Sequence, residues 1–235
     1  MKKLIYIAAA IAVTIAAIFC FSGTRGKGEI TSKNFSIISP NRVNSISVSD
    51  DFTLIITNDA PQGVVEISTY ENIMEMVVVR YNRDSKGLEI RLLDDTRLRG
   101  DAKLVARIKP LSSVRFYEAS SATISLESQR RLSSCSVKLS DGAKFEGYKL
   151  LSSNINVELS GKSEMEISTS GVAKITGTIN NSTLSYKGAP IKEENITAEL
   201  IKGAKIECAN DDSDSALPAV EDDEIVDIEV VESEI

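Results

Sequence analysis

Histidine and tryptophan are absent from the 235 residues, and aromatic side chains make up only 5% of them. Without histidine, the commonest general base, the Ser-His and Cys-His nucleophile pairs and every histidine-containing metal site are excluded. Cysteine is scarce too. With Cys20 inside an N-terminal apolar run, only Cys135 and Cys208 remain, too few for a cysteine-rich zinc site. No cofactor and no metal is expected. The low aromatic content, set against many short β-branched and small residues, fits narrow packed strands better than thick helices.

Charge is missing by region rather than overall. Residues 211–235 hold eleven acidic side chains and no base, residues 1–28 hold four bases and no acid, and the stretch between sums to zero. A neutral body offers no electrostatic footprint for nucleic acid, and an acidic tail repels phosphates. The tail, residues 210–235, is expected to be disordered, because its carboxylates repel and little apolar area is available to bury.

What is present begins with a leader. Met1, Lys2 and Lys3 precede an apolar run from Leu4 to Phe21 broken only by Thr14, followed by Ser22, Gly23 and basic residues. Residues 1–25 read as a signal peptide or a membrane anchor, with cleavage and retention both open. Cys20 is a possible lipidation site, although Phe19 stands where a small residue is expected before such a cysteine. Any membrane association is expected through this segment only.

From Phe35 to Pro110 apolar and polar residues alternate in short runs: Val43 to Val48, Phe52 to Thr57, Val64 to Ser68, Met76 to Arg80, Leu88 to Leu92 and Leu104 to Ile108. Each is a strand candidate, and the Asp-, Asn-, Pro- and Gly-rich separators supply the turns. Only Tyr70 to Met76 suggests a helical turn. After Leu111 a self-similar unit follows: two alternating apolar residues, a polar or Gly turn, then a small residue, any residue and an apolar one. Its corners are Gly142-Ala143, Gly161 with Ser163, Gly171 with Ala173, Gly188-Ala189 and Gly203-Ala204, and Ala122 stands at a corner without glycine. Two steps near twenty residues, from 122 to 143 and from 143 to 163, match one coil of a parallel β-helix, and shorter steps imply copies on different faces of one coil. An antiparallel sandwich is the alternative. The expected fold is therefore an all-β parallel β-helix, a solenoid of short strands.

Gly26-Lys27-Gly28, Phe35-Ser36-Ile37-Ile38, Leu88-Glu89-Ile90, Ile108-Lys109-Pro110-Leu111 and the iterated Ser-Gly-x-Ser and Gly-Ala corners together resemble the putative auto-transporter adhesin head GIN domain family of Bacteroidota envelope proteins. The resemblance covers residues 26–209. It implies a β-helical fold, export to the periplasm, outer membrane or surface of a Gram-negative cell, and binding to a glycan or envelope protein. It brings no catalytic residues.

The competing expectation is a carbohydrate-active enzyme on the same fold, which needs carboxylates converging from neighbouring coils. The dense acidic pairs of the body, Asp50-Asp51 and Asp94-Asp95, fall in turns, where adjacent side chains diverge. A non-catalytic binding scaffold is the better reading. Cys135 and Cys208 are expected as buried thiols, with a disulfide as the alternative, and Arg130-Arg131 as part of a solvated face.

Overall fold

The computed structural model describes residues 24–208, apart from 38, 95, 97, 99–101, 169–171 and 189–190. The leader with Cys20 and the acidic tail lie outside the described residues. Seventeen strands and one helical turn, Glu71–Met74, are described, with two short 3-10 turns.

The strands form coils, each with one strand in an eight-stranded sheet and the next in a nine-stranded sheet. After β1 (Ile30–Ser36), the first coil pairs β2 (Ser45–Val48) with β3 (Thr53–Ile56). An antiparallel excursion follows through β4 (Val64–Tyr70), the helical turn and β5 (Val77–Asn82), and leads into β6 (Gly87–Leu92) and β7 (Val105–Ile108). Five further coils then stack in chain order. They are β8 (Phe116–Ser120) with β9 (Thr123–Leu126), β10 (Arg130–Ser140) with β11 (Lys144–Gly147), β12 (Leu150–Leu159) with β13 (Glu164–Ser168), β14 (Lys174–Asn180) with β15 (Thr183–Lys187), and β16 (Ile196–Ile201) with β17 (Lys205–Cys208). All pairings from β8 to β17 are parallel, and the result is a β-solenoid.

Each strand alternates because one face meets the interior and the other meets water. Equivalent residues stack: Val48, Ala119, Leu139, Leu159 and Ile179 form one buried row, and Leu54, Ile124, Phe145, Met165 and Leu184 form another in the opposite sheet. Between the two sheets, the Tyr117 and Phe145 rings meet at 5.5 Å between centroids. The row of Tyr117, Val137 and Val157 then shrinks to Gly177, where any Cβ would stand 1.9 Å from the Val157 carbonyl oxygen. Glycine is the residue that lets these two backbones approach so closely.

Antiparallel pairing is confined to the N-terminal end, where β5 pairs with β6, β4 with β7 and β1 with β4. These strands close that end of both sheets. The chain also enters the stack out of order: β2 lies between β6 and β8, and β3 between β7 and β9. The first coil made is thus the second coil in space.

Candidate functional site

The solenoid has two edges where the chain passes between sheets. On the first edge, Ala122, Ala143, Ser163, Ser182 and Ala204 occupy equivalent buried positions, at steps of 21, 20, 19 and 22 residues. From Ala122 onward the residue beneath the turn is small, whereas the two preceding coils bury Leu104 and Phe52 at the same register position. Gly142, Gly161 and Gly203 precede three of the small residues with φ of 76°, 68° and 72°. A Cβ on Gly161 would lie 2.7 Å from the Asp141 backbone nitrogen. Ser163 adds a polar tie: its hydroxyl donates to the Ser160 carbonyl at 2.5 Å, and its N–H donates to the Ser182 hydroxyl at 3.1 Å.

The sequence pattern did not single out the copy at Asn181-Ser182. It has no glycine; Asn181 takes the left-handed conformation itself, with φ of 47°. The signal was the spacing, since Ser182 falls one coil after Ser163. Ala173 is a correction: it lies between β13 and β14, on the second edge, and is exposed rather than fitted into a tight corner. Gly188 follows β15 on that same edge, with φ of 116°. Gly171 and Ala189 lie outside the described residues.

The second edge carries a groove of about 900 Å³. Three coils contribute the residues that follow their strand in the nine-stranded sheet: Thr57, Asn58 and Asp59 after β3, Glu127, Ser128 and Gln129 after β9, and Tyr148 with Lys149 after β11. Leu151 and Ser168 complete the lining. The floor is tied together. Glu127 and Ser128 both donate their N–H to the Ile56 carbonyl, the Asn58 N–H donates to the Ser128 hydroxyl at 2.6 Å, and the Lys149 ammonium donates to the Glu127 carbonyl at 2.5 Å.

Tyr148 stands at the rim, 37% exposed. Its hydroxyl donates to the Glu166 carboxylate, and the Lys187 ammonium lies 5.0 Å from its ring centroid. These contacts hold the ring in place. Partial loss of hydration, then the bond to Glu166, pushes the Tyr148 hydroxyl up to about 12, so it remains a neutral donor through physiological pH. The exposed side chains of Asn58, Asp59 and Gln129 make no hydrogen bond or ion pair among the described residues. The groove thus combines a fixed aromatic ring with uncommitted amides and a carboxylate.

Asp50 and Asp94 are tied to the fold. Asp50 accepts the Leu92 N–H at 2.9 Å and the Ser49 hydroxyl at 3.0 Å, and Asp94 pairs with Arg91 at 2.7 Å. Cys135 and Cys208 are free thiols, the first buried and the second half-buried on the last strand. Arg130 corrects the expectation of a solvated face. It is 7% exposed, one guanidinium nitrogen donates to the Val114 carbonyl at 2.8 Å, and Nε has no partner. Alternation explains this: Arg130 sits at an inward position of β10, level with Leu150, while Arg131 points out.

Among solved structures, a putative adhesin from Bacteroides fragilis shares 11% identity over 79% of this chain and 99% of its own, with a TM-score of 0.43. A putative adhesin from Parabacteroides merdae shares 13% over 80% and 99%, with a TM-score of 0.38. A putative lipid binding protein from Parabacteroides distasonis shares 11% over 80% and 100%, with a TM-score of 0.43. No curated protein matches the chain. The family model described as putative auto-transporter adhesin, head GIN domain, matches residues 43–200, from the approach to β2 to the last coil. With the stacked coils, the small-residue corners and that match over most of the chain, this protein belongs to the putative auto-transporter adhesin head GIN domain family.

Proposed function

We propose that this chain is an exported, non-catalytic binding protein of the bacterial envelope, and that the groove on its second edge takes carbohydrate. Tyr148 carries the reading. An aromatic ring held at the rim of an open groove gives the C–H face of a sugar an apolar platform, while the side chains of Asn58, Asp59 and Gln129 answer its hydroxyls. The family's description as an adhesin supports a binding role, and the basic, then apolar, leader supports export. Among the described residues no helix is long and apolar enough to cross a membrane.

The test is a glycan array probed with the purified chain, followed by titration calorimetry on the best ligand. Saturable binding is expected. Tyr148→Ala weakens it about tenfold or more, which is ~1.4 kcal/mol. Phe116→Ala, which removes an exposed ring from the outer face of the eight-stranded sheet, leaves it unchanged. Equal binding by wild type and Tyr148→Ala would remove the groove from the reading, and an array with no ligand would remove carbohydrate.

A further inference from the structure

The two ends of the solenoid differ. The N-terminal end is closed by β1, β4, β5 and the helical turn, whereas at the other end β16 and β17 are the edge strands of their sheets among the described residues. Their inward residues show the consequence. Ile175, Ile179 and Tyr186, one coil inside, are buried, while Ile196, Leu200 and Cys208, stacked directly on them, are half-exposed; Ala198 and Ile206 between them stay buried, so the end is partly open. An uncovered pair of strand edges with an open apolar end is a template for another strand.

We propose that this end is covered by the same end of a second copy, with β17 pairing antiparallel to β17 of its twin about a two-fold axis through Ile206. Charge carries the choice of occupant. In that register Ile206 faces itself on the inner side, and on the outer side Lys205 faces Glu207 of the twin, twice over. The strand Lys205-Ile206-Glu207-Cys208 is therefore complementary to its own reverse. Both sheets already accept antiparallel strands at their opposite end, through β4 on β7 and β5 on β6.

The register is tested by charge reversal in the full chain, purified in mild detergent and followed by sedimentation. Wild type is expected to be a dimer at about 10 µM. Lys205→Glu sets four carboxylates against each other and Glu207→Lys four ammonium groups, so each weakens association at least about tenfold. An equimolar mixture of the two variants, or the double variant, restores it. Co-expressed Lys205→Cys and Glu207→Cys chains form a disulfide-linked dimer on a non-reducing gel, a readout that stands even if a reversed variant folds poorly. A monomeric wild type overturns the proposal, whether residues 209–235 or nothing covers the end. So does a dimer that both reversals leave intact.

Discussion

A methyl group added at three glycines of this chain meets three different surroundings, which rank the outcomes. At Gly142, with φ of 76° and nothing within 4 Å, alanine suffers only the left-handed backbone, about 1 kcal/mol. At Gly161 the same backbone cost is joined by a 2.7 Å approach to the Asp141 nitrogen, and about 2–3 kcal/mol is expected. At Gly177 the methyl would overlap the Val157 carbonyl, with φ of 119°, so Gly177→Ala should break the ladder between β12 and β14 and lose more than about 4 kcal/mol. Urea unfolding of the three variants checks the order, and a Gly177→Ala chain as stable as Gly142→Ala would contradict it. Titration makes a second prediction at this scale. Burial pushes the Cys135 thiol from 9 up to about 12, against the opposing pull of Arg130 and Arg115. The unfolded thiol ionises first, so stability is whole below pH 9 and falls as pH rises toward 12, by about 1.4 kcal/mol per unit for this one group. Tyrosines join above pH 10, where Tyr117 and Tyr148 are also raised. Between pH 9 and 10 the melting temperature of wild type should therefore fall more steeply than that of Cys135→Ala.

Strands were readable wherever one face is buried, since burial is what writes alternation into the chain. Val43 to Val48, Phe52 to Thr57 and Leu104 to Ile108 became β2, β3 and β7, and Tyr70 to Met76 contains the helical turn. β1 was not readable, because nearly all of it is exposed and its pairing to β4 leaves no apolar period. The groove was hidden for another reason: its lining comes from short turns as much as ninety residues apart, and only the coil step brings them level. Corners were legible at Gly142-Ala143, Gly161 with Ser163 and Gly203-Ala204, misplaced at Ala173 and obscure at Asn181-Ser182. Ion pairs across neighbouring strands, such as Lys144–Glu164 at 2.5 Å and Lys138–Glu118 at 3.3 Å, lie half in solvent on both sides. Glu164→Gln is accordingly expected to shift stability by less than about 1 kcal/mol, measurable in the same urea series. A larger loss would mean that this pair aligns β11 with β13.

Taken whole, the molecule is nearly one-dimensional, and each coil touches mainly its neighbours. Amide exchange should show it: slowest in β10 to β13, inside the stack, and fastest in β1 at the outer margin. In β16 and β17 exchange should slow as protein concentration rises, which separates a covered end from a bare one. The order of coils was not legible from the sequence, because alternation records which side of a strand is wet and says nothing about which strand lies alongside. That order also bears on how the chain can be made. The coil of β2 and β3 is the first coil to leave the ribosome, yet its partners β6 and β7 begin 42 and 52 residues later, and β8 and β9 later still. Until β6 is made the earliest coil has no neighbour, so the nascent chain stays open for more than a third of its length and the later coils add one by one to a finished seed.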